Sequence, residues 1–178
     1  MESRLLPNYK TVGNEEIISY PTYSKLSASM IERETNYISS IVDVLIKKVP
    51  QNKPIKFLVR GMSMAILTGS VAYHLRCKGR ACKIDILRKK GDDSHMGVHF
   101  EDNESYIVDP DYVYVVVDDL VASGDTVRKL GSLVKFNYRK RKLDFLFVSS
   151  IYYRGESEVK YWSKYYKYVY SNRIIETK

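Results

Sequence analysis

Asp118 and Asp119 stand just ahead of a run of small residues, Ala122-Ser123-Gly124-Asp125-Thr126. Before the acidic pair, Tyr112 to Val117 is apolar and rich in β-branched and aromatic side chains. That stretch reads as a buried strand that ends at the carboxylates. After the small residues, Asp125 to Asn137 carries Val127, Leu130, Leu133 and Val134 at helical spacing. A strand, a small-residue turn and a helix make an anion cradle, because unused backbone N–H groups and the positive end of the helix dipole face the turn. Gly124 can adopt backbone angles that other residues resist, and a side chain there is expected to enter the cradle. Ser123 and Thr126 add hydroxyl donors, so the pattern is that of a phosphate site. The strings G-x-x-x-x-G-K-[ST] and G-x-G-x-x-G are both absent, which excludes the common nucleotide loops. Two carboxylates ahead of a phosphate cradle suit a phosphorylated sugar. They accept hydrogen bonds from vicinal hydroxyls or share a hard cation with them. Asp125 is unusual beside a phosphate, and its carboxylate must point away.

The order of these residues, Val115-Val116-Val117-Asp118-Asp119-Leu120-Val121-Ala122-Ser123-Gly124-Asp125-Thr126, closely resembles the motif by which type I phosphoribosyltransferases bind 5-phosphoribosyl 1-pyrophosphate (PRPP). The resemblance implies that Ala122, Ser123, Gly124, Asp125 and Thr126 hold the 5-phosphate. It implies that Asp118 and Asp119 hold the ribose hydroxyls, directly or through Mg²⁺, the ion reaching them by water or the hydroxyls. Leu58-Val59-Arg60-Gly61-Met62-Ser63 repeats the strand, glycine turn and helix start about sixty residues earlier. It is similar to the family's pyrophosphate loop, which assigns Arg60, Gly61, Met62 and Ser63 to that group. Leu87-Arg88-Lys89-Lys90-Gly91 is similar to the opening of the flap that closes over substrate in adenine phosphoribosyltransferases. Arg88, Lys89 and His95 also have counterparts in the orotate enzymes, although Asp92 and Asp93 stand where those have a further Lys. Arg88 and Lys89 are thus implied to join Asp118 and Asp119 in catalysis, with Lys90 and His95 on the flap. A homodimer, a cytoplasmic location and Mg²⁺ as cofactor are further implications.

The elements that must position these residues follow from periodicity. Met1 to Tyr23 is broken by Pro7, Gly13 and Pro21, and Ser24 to Met30 reads as a short strand or loop. Ile31 to Val49 has an apolar stripe at helical spacing and meets Pro50. Ile55 to Val59, Cys82 to Leu87 and Leu143 to Ile151 read as buried strands, and Met64 to Leu75 as a helix closed by Gly79. Arg88 to about Ser105 is a polar flap, Tyr106 to Val108 a returning strand, Glu156 to Lys164 a short helix, and Tyr165 to Tyr170 an edge strand. Strands alternating with helices predict an α/β fold, an open, mostly parallel twisted sheet with helices on both faces, and ligands at the carboxyl ends of the strands. A single domain is expected over 1–178. The resemblance gives it a core at about 31–151 and a small variable hood from 1–30 and/or 152–178.

The 178 residues carry a net charge of +8 and 44% apolar side chains, which excludes a disordered chain and suits a polyanionic partner. Cys77 and Cys82 make neither a disulfide framework nor a metal pattern, and no apolar run approaches membrane-spanning length. The expected partners are PRPP and a nucleobase. Ala122 is what adenine enzymes tend to have, and Ser149-Ser150-Ile151-Tyr152-Tyr153-Arg154 lacks the Lys by which six-oxopurine enzymes read their base. A purine acceptor leads, near Val121, with Tyr152 or Tyr153 able to stack on it. The alternatives are an orotate phosphoribosyltransferase, or a non-catalytic PRPP-binding regulator that binds nucleic acid. The basic stretch Arg139 to Lys142 and the Tyr/Lys-rich segment from Tyr161 to Tyr170 suit the latter.

Overall fold

The computed structural model describes residues 9–12, 15–18, 28–60, 62–88, 99–100, 109–121, 124–137, 142–153, 162 and 164–176. Two short strands, β1 (Tyr9–Val12) and β2 (Glu15–Ile18), pair antiparallel as a separate hairpin. Then come α1 (Ala28–Lys48), β3 (Ile55–Arg60), α2 (Met62–Cys77), β4 (Cys82–Arg88), β5 (His99–Phe100), β6 (Val113–Val121), α3 (Asp125–Asn137), β7 (Leu143–Tyr153) and β8 (Tyr166–Glu176). The last six strands form one sheet in the order β5-β4-β3-β6-β7-β8. Every neighbouring pair in it is parallel.

Alternation along each strand sends side chains to opposite faces, and each face has its own core. Phe57 and Val59 of β3, with Val115, Val117, Phe145 and Phe147, pack under Ile41, Leu45, Leu67 and Leu75 of α1 and α2. On the other face Leu58, Val116, Leu146 and Val148 pack with Val127 and Leu130 of α3, and with Trp162 and Tyr166. The sheet is therefore covered from both sides, as its strand–helix alternation predicts.

β3 connects through α2 to β4 on one side, whereas β6 connects through α3 to β7 on the other. The direction of winding reverses between β3 and β6, and such a switch point leaves a crevice at the strands' carboxyl ends. The register shows the opening. β3 pairs with β6 from Ile55↔Val113 to Leu58↔Val116, while β6 continues alongside β7 to Val121↔Ile151.

Helix α2 closes as its sequence predicts. Gly79 takes φ +75°, and the Arg80 N–H reaches back to the Leu75 carbonyl at 2.9 Å. Helix α1 ends less predictably. Arg80 is buried, and its guanidinium donates to the Leu45 and Val49 carbonyls of the last helical turns and to Gln51 Oε1 at 3.1 Å. A side chain from the next α/β unit thus satisfies carbonyls that a helix end leaves open.

The central strand runs to Val121, four residues past the expected end at Val117, and α1 starts at Ala28 rather than Ile31. Tyr165 to Tyr170 was expected as an edge strand; β8 lies at the sheet's edge and continues to Glu176. β5 falls inside the stretch read as a flap. The strand expected at 106–108 and most of the helix expected at 156–164 lie outside the described residues. No helix among the described residues is long and apolar enough to cross a membrane.

Candidate functional site

The expected site residues that the structure describes lie at the carboxyl ends of β3, β4, β6 and β7 and at the starts of α2 and α3. Arg60 is the last residue of β3, and Met62 and Ser63 open α2. Arg88 ends β4, Asp118 and Asp119 lie in the second half of β6, and Tyr152 and Tyr153 end β7. Gly61, Lys89, Lys90, His95, Ala122 and Ser123 lie outside the described residues.

Asp118 is 8% exposed and lies within the ladder, opposite Val148, rather than at a strand terminus. Its backbone carbonyl, beyond the last β3–β6 pair, accepts a hydrogen bond from the Tyr37 hydroxyl of α1 at 3.2 Å. Alternation turns the Asp118 side chain toward the face that carries α3. There it neighbours the Tyr166 phenol, whose pKa is pushed well above the ordinary value by burial first and by the Asp118 charge second.

Gly124 precedes α3 and has φ +72°. Its carbonyl accepts the first helical bond, from the Arg128 N–H at 2.8 Å. Glycine is required here for two reasons, and the second differs from the sequence expectation. A left-handed backbone angle disfavours other residues. A Cβ would also stand only 2.1 Å from Trp162 Cη2 and 2.6 Å from its Cζ2. The side chain excluded at Gly124 would collide with the indole of Trp162, which lies between β7 and β8 in the chain, rather than fill the phosphate cradle.

Among the described residues the two cradles meet in a side-chain hydrogen bond. Arg60 Nη1 donates to Thr126 Oγ1 at 3.3 Å, bringing the cation of the first turn to the hydroxyl of the second. Asp125 is solvent-facing and pairs with Arg128 one helical turn on, which takes its carboxylate away from the turn. Val121, a candidate for the base pocket, is instead 2% exposed and packs in the core beneath α3. Among the described residues no group of three or more His, Cys, Asp or Glu converges to hold a metal ion. The donors at hand are hard carboxylate oxygens, which fit Mg²⁺ that takes most of its ligands from a substrate diphosphate and water.

Sequence reasoning missed Tyr37, Trp162 and Tyr166. Each acts across the fold on a strand or turn distant in sequence, and no local pattern marks it.

No family model matches the chain, and no curated protein matches it. Solved structures do. The adenine phosphoribosyltransferase of Giardia lamblia, complexed with 9-deazaadenine, superposes with a TM-score of 0.58 at 18% identity, covering 82% of this chain and 81% of that one. The adenine phosphoribosyltransferase of Thermoanaerobacter pseudethanolicus gives 0.49 at 16% identity, over 83% and 86%. A hypoxanthine phosphoribosyltransferase of Staphylococcus aureus gives 0.49 at 12%, over 83% and 76%. The likeness to the Giardia enzyme establishes the fold: this chain has the α/β architecture of the purine phosphoribosyltransferases.

Proposed function

We propose that the chain is a Mg²⁺-dependent phosphoribosyltransferase, a single domain over 1–178 that moves the 5-phosphoribosyl group of PRPP to a nitrogen of a purine base and releases pyrophosphate. The observation that carries the reading is the Arg60–Thr126 contact at the switch point, with Asp118 on the neighbouring strand. Two anion-binding turns and a carboxylate at that spacing suit a sugar phosphorylated at both ends. The shared fold supports the same reading.

The reaction breaks the C1–O bond to pyrophosphate and forms a C1–N bond to the base. Positive charge develops on the ribose ring between the two events. The protein's part is to hold ring and base in line, stabilise charge on the departing group and exclude water. The turn before α3 holds the 5-phosphate on backbone N–H groups and the Thr126 hydroxyl. Asp118 and Asp119 accept from the ribose hydroxyls. Arg60 and the start of α2 face the pyrophosphate, and Arg88, Lys89, Lys90 and His95 close over it from the flap. Mg²⁺ would be held mainly by substrate oxygens, with Asp118 and Asp119 reaching it through water or the hydroxyls, and would supply further positive charge against the pyrophosphate. Tyr152 or Tyr153, which end β7, would stack on the base. The enzyme acts in the cytoplasm as a homodimer.

The test is pyrophosphate release from PRPP and Mg²⁺ with adenine, hypoxanthine, guanine, xanthine, orotate, uracil or no base. Release is expected with a purine. The double variant Asp118→Asn, Asp119→Asn should abolish it while melting normally, and unchanged turnover in that variant would end the assignment. Tight PRPP binding without release by any base would instead favour the PRPP-binding regulator, for which the net charge of +8 suggests a nucleic-acid partner.

A further inference from the structure

Helix α3 meets three aromatic residues along one face. Gly124, Val127 and Gly131 recur at i, i+3 and i+7, so they lie on one side of the helix and the turn that leads into it. Trp162 lies against Gly124, with its ring where a Cβ would be. The Tyr166 hydroxyl donates to the Val127 carbonyl at 2.8 Å, inside the first helical turn. Tyr165 lies against Gly131, where an added Cβ would stand 3.0 Å from the Tyr165 Cβ. The backbone there is anchored in turn. The Tyr165 N–H donates to the Trp162 carbonyl at 3.0 Å, and the Leu143 N–H donates to the Tyr165 carbonyl at 2.8 Å, fastening it to the start of β7.

Two of the three contacts use glycine to bring helix and rings together, and the third places a hydrogen bond on a helical carbonyl. Apolar burial alone asks for neither. A non-specific core contact would be served by alanine or a larger side chain and by phenylalanine. The arrangement instead fixes the axial and lateral position of α3's first turn over the strand ends. Tyr166 also neighbours Asp118, so one aromatic turn borders both the phosphate cradle and the ribose carboxylate.

Resting on the function proposed above, we propose that Trp162, Tyr165 and Tyr166 are positioning residues for the 5-phosphate. They touch no ligand, but they set where the turn before α3 stands relative to β6. The pyrophosphate turn, built on β3 and α2, reaches α3 through the Arg60–Thr126 hydrogen bond, whereas the three aromatic residues grip the turn before α3 and the helix behind it, so they should act chiefly on the 5-phosphate end of the substrate.

The test is calorimetric titration of the whole chain with ribose 5-phosphate and, separately, with pyrophosphate plus Mg²⁺. Wild type, Tyr166→Phe and Gly131→Ala are compared. Each variant should bind ribose 5-phosphate about five- to tenfold more weakly, as loss of one aligned hydrogen bond or a small helix shift implies. Pyrophosphate affinity should stay within about twofold. Equal weakening toward both ligands would make the aromatic residues merely structural and overturn the inference, as would unchanged binding of both. Should Gly131→Ala fail to fold, Tyr166→Phe, which removes a single oxygen, carries the test. Failure of the wild type to bind either ligand would instead end the proposed function, and the inference with it.

Discussion

Gly124→Ala is the most informative single change, because the structure allows its cost to be built from two terms. The left-handed φ of +72° penalises any residue with a Cβ by about 1–2 kcal/mol. The new methyl would then stand 2.1 Å from Trp162 Cη2, far inside ordinary carbon contact. Trp162 is 4% exposed and boxed in by the core beneath α3, so the indole must shift or the turn must. Overpacking of this kind costs about 1–3 kcal/mol. The sum is roughly 2–5 kcal/mol, or a fall in Tm of roughly 5–15 °C for a domain of this size. Trp162 is the chain's single tryptophan, so its fluorescence reports on this contact directly. Emission should move toward that of a wetter indole in Gly124→Ala, and the same melt gives Tm. A cycle with Trp162→Leu separates the terms. In that background the collision is relieved and only the backbone penalty should remain, a fall of roughly 2–8 °C. An equal fall in both backgrounds, or unchanged emission in Gly124→Ala, would refute the packing argument.

Two other outcomes follow from groups far apart in the fold. Arg80→Leu should lower Tm by roughly 5–15 °C, because the Leu45 and Val49 carbonyls lose a buried donor at about 1–3 kcal/mol each. PRPP affinity should stay unchanged in that variant, since Arg80 lies toward the amino ends of the strands; a loss of affinity with an unchanged melt would contradict this. Tyr166 makes stability fall in alkali. Its folded pKa is raised by burial, so the unfolded chain gives up the proton first. The contribution is complete below the ordinary tyrosine value of 10.0 and is lost as pH rises from there through the folded value, by up to about 1.4 kcal/mol per pH unit. Tyr166→Phe removes that term, so melts between roughly pH 9 and 11 should show the variant losing less Tm than the wild type; parallel curves would contradict the sign.

Much of this architecture is legible in the sequence, and what is not has an identifiable cause. The bounds of α3 coincide with those read from Asp125 and the Val127, Leu130, Leu133, Val134 spacing, because the small-residue turn and the apolar period are both local signals. Gly79 marks its helix end for the same reason. The strand carrying Asp118 was read as stopping at the carboxylates. The ladder with β7 nonetheless continues through Asp118↔Val148 and Leu120↔Ser150, so backbone pairing overrides the low strand preference of aspartate. Arg80 follows a glycine in a basic stretch and carries no local mark of burial, which depends on where the end of α1 falls. Nothing local separates Tyr165 and Tyr166 from the chain's other tyrosines; what marks them is their contact with α3 at Gly131 and Val127, far away in sequence. The strand order shows the same limit: alternation predicts parallel strands, but only the crossovers reveal which pair flanks the crevice.

The central pair of the sheet has a consequence for how the molecule comes into being. Ile55 of β3 finds Val113 of β6 about sixty residues further along the chain, with α2, β4 and β5 between them. Closing a loop of that length costs entropy before any contact repays it, and parallel pairings of this kind form slowly. During synthesis, the crevice cannot open until β6 has emerged. The turn before α3 is not gripped until Trp162, Tyr165 and Tyr166 follow. A nascent chain halted after α3 would carry every residue proposed to touch phosphate or ribose and still lack the aromatic grip on them, so ligand competence should arrive late and abruptly on the ribosome.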